Sequence, residues 1–338
     1  MITLKNNKAS VTVDLNGGGI VDFHLTENDI NPLTFRFAAE QMPENNRGAC
    51  YQGHFACIGR WGQPSEGEIK AGHPNHGQAA MSQWEKLDEG DAFLKMKVNC
   101  PLDGLSTLHM LALSVSAPVF RVTETVKNIN PLGRLYNVVQ HPTLAAPFLD
   151  EATRVDCNAT FGINYDFDTN PLEYASEWPQ GMCKDHEPMS LNTPDVANSS
   201  VFSFIVDKES EFGWVTAYSP FHNLLLGYIW KRTEYPWISL WQHFENDRIK
   251  YRGIEFGTTG IHKPFNEILE HDNTRLFGEK TLWHIDAGEE VSCSYTAFLH
   301  QPEGEFTGVK NVSLQNGILA IKSLQGELIE LETGLAFE

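Results

Sequence analysis

Apolar and polar residues alternate, or gather in short β-branched runs, along most of this 338-residue chain. Ser10–Leu15, Ala92–Val98, Thr107–Val115 and Val119–Val126 follow this pattern, as do Phe202–Val206, Leu224–Tyr228, Ile249–Phe256 and Val291–His300. A period of two sends successive side chains to opposite faces of a pleated strand. The runs end at Gly, Pro, Asn or Asp, which turn the chain. Near the C-terminus, Val312–Leu314 and Ile318–Ile321 flank Asn316-Gly317, a dipeptide that tolerates the positive φ angles of a tight hairpin. Helical periodicity is nearly absent, and Asn266–Glu270 predicts one short turn. Gln41–Ala80 and Asp166–Ser200 read as loops dense in Gly, Pro, Asn and His. Many short strands with turns about every ten residues predict an all-β protein, a sandwich or a barrel.

Composition narrows the class. Hydrophobic residues make up 41% and charged residues 20%, an ordinary globular balance that can bury a sizeable core. The formal net charge of −19 disfavours nucleic acid, which needs a concentrated positive surface, and disfavours an anionic membrane surface. The first residues carry no apolar signal-peptide core, and no run approaches the ~18 apolar residues of a membrane helix. Six scattered cysteines without a CxxC pair fit reduced thiols, so a cytoplasmic location is expected.

Three clusters carry candidate chemistry. In Cys57–Trp84, Arg60, Trp61, His73, Asn75, His76 and Trp84 lie in a Gly-rich frame. Hydrogen-bonding groups beside flat aromatic faces suit a sugar, which has hydroxyls at its rim and C–H groups on its faces. In Asn137–Phe148, His141 follows an apolar run and precedes Pro142, which places it at or near a strand end. An imidazole titrates near neutrality and can hand a proton to a ring or glycosidic oxygen. In Lys250–Gly260, alternation turns Ile254 and Phe256 to one side and Glu255 to the other. A carboxylate inside an apolar strand is costly to bury without a partner, and in a polar cavity it can act as a base.

Each residue also has a bland reading: a stray loop histidine for His76, a histidine satisfying a carbonyl for His141, a solvent-facing carboxylate for Glu255. A zinc site needs at least three convergent ligands. His73 and His76 are close, His54 is distant and no third partner is evident, so neither a metal nor a cofactor is expected. There is no phosphate-binding loop, no dinucleotide fingerprint and no serine nucleophile elbow; Gly17-Gly18-Gly19 reads as a turn.

Taken in order, the clusters resemble the galactose mutarotase-like superfamily of aldose 1-epimerases and hexose-6-phosphate mutarotases. NGGGIVDFHL is similar to the family's opening hairpin. IGRW and NHGQAAMSQW resemble its Arg-Gly, His-Gly and Trp segment, VVQHPTLAAPF its second-histidine segment, GIEFGT the late strand that carries its glutamate, and WHIDAGEEVSCSYTAFL its final strand pair. The likeness spans about residues 10–300. It implies a large antiparallel β-sandwich over 1–300; the tail 301–338 lies beyond the likeness and reads as additional C-terminal strands packed on the same domain. It implies that Arg60 and His76 hold the sugar, that His141 protonates the ring oxygen, and that Glu255 removes the anomeric hydroxyl proton. Asn75 and Trp84 join the binding set. The family's hydroxyl-binding aspartate has no counterpart; His243 in the aromatic stretch Trp237–Phe244 is expected in its place, and Trp241 joins the binding set. Gln78 after Gly77 is a further departure, so the sugar is not assigned, nor whether it is phosphorylated through Arg60 or Arg252.

The expected partner is a monosaccharide or sugar derivative, bound by a monomer or homodimer. The expected activity is an isomerase that interconverts anomers. Its alternative is a non-catalytic carbohydrate-binding or sensing protein on the same fold. A hydrolase or lyase would need a second carboxylate across the bond, for which Glu66, Glu68 and Asp166 are the available residues.

Overall fold

The computed structural model describes residues 1–37, 50–194 and 199–335. The 41–49 part of the first predicted loop and the 195–198 part of the second lie outside them. Two antiparallel sheets form the body. The larger has ten strands in the order Ile2–Lys5, Ala9–Val13, Ile20–Leu25, His54–Ile58, Val138–Ala145, Arg248–Gly257, Trp237–Glu245, Ser200–Val206, Ala159–Asn164 and Ala175–Glu177. The second has eight, in the order Arg154–Cys157, Phe212–Ser219, Leu224–Lys231, Glu290–His300, Val119–Asn128, Leu105–Leu113, Phe93–Cys100 and Glu85–Glu89. This is the large antiparallel sandwich expected.

The predicted strands appear within a few residues of their expected bounds. Phe93–Cys100 alternates buried and accessible positions because one face meets the core. Asn316 and Gly317 both take positive φ, 52° and 78°, in the hairpin joining Val309–Gln315 to Ile318–Ser323. That hairpin and Leu328–Glu332 form a third layer on the outer face of the eight-stranded sheet, where Val312, Leu319 and Ile321 pack on Trp214, Leu225 and Ile229.

Three expectations need correction. The loop reading of 166–200 conceals the short strands Ala175–Glu177, Gln180–Met182 and Pro188–Ser190. The loop reading of 41–80 conceals the strand His54–Ile58 and the short helix Glu66–Lys70, which is closed by a capping box between Ser65 and Glu68. And His141 is not at a strand end. It lies in the middle of Val138–Ala145, a strand buried along its whole length. Pro142 suggested an end because it lacks the ladder N–H. The pairing with Arg248–Gly257 skips positions 141 and 142 and resumes at Thr143, so the strand passes through the proline.

Between the sheets a polar chain crosses the core. His54 Nε2 meets Gln140 Oε1 at 3.1 Å, and Gln140 Nε2 donates to Glu124 Oε2 at 2.6 Å and to the Tyr235 hydroxyl at 3.2 Å. Glu124 Oε1 meets His109 Nδ1 at 3.0 Å. Burial pushes His54 down to about 3, with the Gln140 hydrogen bond opposing.

Candidate functional site

The site lies on the outward face of the ten-stranded sheet, opposite that polar chain. Alternation explains the division: Gln140 and His54 point into the sandwich, and their neighbours His141 and Phe55 point out. The register does the rest. Phe55 pairs with His141, His141 falls opposite Glu255 between the pairs Gln140↔Phe256 and Thr143↔Gly253, and Glu255 pairs with Ser239. Residues far apart in sequence thus form one cross-strand row.

His141 Nε2 lies 3.2 Å from Glu255 Oε1. On the other side of the ring, Nδ1 lies 2.9 Å from Thr143 Oγ1, whose hydroxyl donates to the His141 carbonyl at 3.3 Å. The hydroxyl has one proton: given to the carbonyl, it makes Nδ1 the N–H donor and leaves Nε2 bare toward Glu255. His141 and Glu255 are 6% and 1% exposed. Burial pushes the imidazole down to about 3 and the Glu255 carboxyl well above its ordinary range. Burial thus favours the neutral form of each group, with the carboxyl proton lying between them rather than an ion pair. The Trp61 indole opposes the rise of Glu255, although Trp61 Nε1 and Glu255 Oε2 fall short of a formed hydrogen bond.

His76 closes another side. It holds a left-handed backbone, φ 61°, uncommon outside glycine and suited to a functional position. Its Nδ1 accepts the Gly62 backbone N–H at 3.2 Å, so the neutral ring carries its proton on Nε2. Burial, with His262 and His141 nearby, lowers it well below the ordinary imidazole range. The His76 ring centroid stands 5.8 Å from that of His141 and 5.3 Å from that of His262.

These groups open onto a cavity of about 380 Å³, within the usual range for small ligands, roughly 300–1,000 Å³. Asn75, Trp241 and Tyr165 also line it, with a wall made by Phe35, Phe37, Tyr51 and Phe55. A larger cleft of about 730 Å³ lies between the third layer and the eight-stranded sheet.

Of the expected site residues, His76, Asn75, His141, Trp241 and Glu255 converge on the cavity. Arg60, Trp84 and His243 do not. The Arg60 guanidinium is held behind the cavity wall by both Glu68 oxygens at 2.9 and 2.8 Å, and lies over the Phe265 ring. Trp84 is a core residue over Gly18, its indole donating to the Ala79 carbonyl at 3.1 Å. His243 stacks on Tyr251, one step beyond Trp241 along the strand. The suggested phosphate contact Arg252 points into the sandwich and donates to the Leu191 carbonyl.

Six contributors carried no readable mark of their own in the sequence. Thr143 was legible in principle, since positions two apart on a strand share a face. Phe55 carries no signal until its strand is placed, and Phe35 and Phe37 lie in a loop, flanking the isolated bridge between Arg36 and Gln52. Nothing local marks Tyr165 or His262.

Glu255 is the one carboxylate lining the cavity among the described residues. Glu68 is bound to Arg60; burial acts to raise it, and the hydrogen bonds from Arg60 and Ser65 bring it down to about 2. Asp166 pairs with Lys184 at 3.1 Å. Among the described residues no group of three His, Cys, Asp or Glu side chains could hold a metal ion; His54 faces the opposite side of the sheet from His76. No described helix is long and apolar enough to cross a membrane.

No protein-family model matches the chain, and no curated protein matches it. Solved structures do. A galactose mutarotase related enzyme from Lactobacillus acidophilus aligns over 88% of this chain and 97% of its own, with a TM-score of 0.63 at 13% identity. A galactose mutarotase-like protein from Clostridium acetobutylicum aligns over 89% and 95%, with a TM-score of 0.62 at 15% identity. A GalM/aldose epimerase homologue from C. elegans aligns over 89% and 99%, with a TM-score of 0.61 at 10% identity. The fold is therefore the galactose mutarotase-like β-sandwich.

Proposed function

We propose that this protein is a sugar isomerase of the aldose 1-epimerase kind, with His141 and Glu255 as its acid–base pair. The observation that carries the reading is the 3.2 Å contact between His141 Nε2 and Glu255 Oε1 at the floor of a monosaccharide-sized cavity. Opening a cyclic hemiacetal needs one group to take the anomeric hydroxyl proton and another to give a proton to the ring oxygen. As the C1–O5 bond breaks, the O1–H electrons form the aldehyde. Rotation about C1–C2 and reclosure deliver the other anomer. One proton between two neutral groups supplies one donor and one acceptor.

Burial favours the opposite proton placement to the roles expected from the resemblance, with the proton on Glu255 and Nε2 bare. Direct contact lets the proton pass between them, so either member can begin as the acid. His76 Nε2–H and Asn75 offer hydrogen bonds to the remaining hydroxyls.

The test is anomer equilibration followed by polarimetry or NMR over a panel of free aldoses. Acceleration that collapses in Glu255→Gln and His141→Asn supports the proposal. Sugar binding without acceleration across the panel would leave a carbohydrate-binding or sensing protein.

A further inference from the structure

Two buried polar atoms of the cavity lining have no hydrogen-bond partner among the described residues: Nε1 of Trp61 and Oε2 of Glu255. A buried N–H without an acceptor is uncommon, and one that faces a functional carboxyl calls for an explanation.

The register brings the two together. Phe55, His141 and Glu255 form one cross-strand row, and Cys57, Val139 and Gly257 form the next row on the same face. Trp61 belongs to one apolar cluster with Cys57 and Val139, and its ring meets His262 edge-on at 4.8 Å. The turn that carries it is pinned at both ends. Gly59 exchanges backbone hydrogen bonds with Asn137 at 2.9 and 3.1 Å. The Gly62 N–H reaches His76 Nδ1 at 3.2 Å, and the His76 N–H reaches the Gly62 carbonyl at 3.1 Å. The indole so held acts to favour the ionised form of Glu255.

At rest there is little for it to bind. Burial favours the protonated carboxyl, and with the proton turned to His141, Oε2 is the weakly accepting carbonyl oxygen of an acid. Ring opening changes this. As the C1–O5 bond breaks, the Glu255 proton passes to O5. The O1–H proton passes to His141 Nε2, and its electron pair forms the aldehyde. Glu255 is then a carboxylate, with the imidazolium at Oε1 and the indole at Oε2. The other titratable side chains lining the cavity are Tyr51, His76, Tyr165 and His262, and Cys57 lies in the neighbouring row. Burial favours the neutral form of each.

We infer that Trp61 is a positioning residue whose indole N–H closes on Glu255 Oε2 while that carboxyl is ionised, so that it stabilises the proton-transferred state and leaves the resting state unchanged. A hydrogen bond made only as the reaction proceeds raises kcat with little effect on KM. Its use in catalysis rests on reading the cavity as an isomerase site; the bond itself does not.

The experiment removes the N–H in two ways. Trp61→Phe deletes it with part of the ring, and β-(3-benzothienyl)alanine at the same position keeps the ring shape with sulfur in its place. Carbon NMR of the Glu255 carboxyl, assigned by its loss in Glu255→Gln, is followed against pH with no sugar present, and anomerisation is measured in parallel. In both variants Glu255 should hold its proton about tenfold more tightly, the scale of one hydrogen bond to a charged group. The kcat for anomerisation should fall about tenfold, with KM little changed.

A Glu255 titration unmoved in the benzothienyl variant overturns the inference, even if Trp61→Phe moves it, since a change confined to phenylalanine is a packing effect. If the wild type accelerates anomerisation in that case, the proposed function stands without it. A titration that moves while kcat stays unchanged also overturns it, because the bond is then not made during the reaction. A titration that moves in a protein that accelerates no sugar supports the bond and removes the catalytic reading.

Discussion

Gly253 and Glu255 share one small space on the same strand: a Cβ added at 253 would stand 2.7 Å from Glu255 Oε1 and 3.2 Å from the Trp241 Cβ. The carboxyl oxygen that meets His141 therefore lies over a position only glycine leaves open. Gly253→Ala should displace that oxygen with the fold preserved. Loss of about 10²-fold in kcat/KM is expected, the scale on which a misplacement near 1 Å acts. Unchanged anomerisation, or unchanged sugar affinity if binding is the readout, would show that the placement of Oε1 is immaterial.

The pH profile follows from the pair's resting state. Protonating His141 removes the acceptor and ionising Glu255 removes the donor. His141 is held down at about 3, below its ordinary 6.5, and Glu255 is raised above its ordinary 4.5. Because kcat/KM reports the free enzyme, it should be flat across mildly acidic pH. Its acid limb should lie far below 6.5, and its alkaline limb should lie above the ordinary carboxylate range. The two limbs belong to the pair as a unit. An acid limb at the ordinary imidazole value would contradict the neutral pair.

Thr143 fixes which nitrogen of His141 carries the proton. Thr143→Val keeps the shape and removes the partner of Nδ1. Nitrogen NMR of the His141 ring should report a shift from the Nδ1–H tautomer toward a mixture, with no sugar present. Activity should fall by about 10²-fold in kcat, the low end of what a positioned acid–base group contributes, with KM little changed. Thr143→Ser should restore both. A tautomer that stays put in the valine variant would show that Thr143 is a spectator.

The chain through the core makes a separate claim about stability. Glu124→Leu strands His109 Nδ1 and removes one of the two acceptors of Gln140 Nε2. A buried polar network broken from one side costs about 3 kcal/mol. Urea unfolding should show a loss of this size. A change below about 1 kcal/mol would mean that the network does not stabilise the fold.

How much of this was legible in sequence depends on how each residue is buried. Strands with one face in the core, such as Phe93–Cys100, declare themselves by alternation. Val138–Ala145 is covered on both faces, so its pattern vanishes, and its proline argues for an end that does not exist. His141 and Glu255 were found because a chemistry-bearing residue in an apolar run is conspicuous. Arg60 was equally conspicuous and misassigned, because the capping box that places Glu68 beneath it went unread. The aromatic wall was out of reach, since its rings come from a loop and from strands that meet only in the folded chain.

The alternation of His54 with Phe55, and of Gln140 with His141, has a consequence for how the chain finds its native pairing. A one-residue slip of either strand would exchange the two faces. It would expose the partners of Glu124 to the cavity and press an aromatic ring and the acid–base imidazole among groups that need hydrogen bonds. The misaligned chain would lose on both sides at once. The core chain thus acts as an assembly check: a molecule that has satisfied Glu124 has, by the same pairing, already aimed His141 at Glu255.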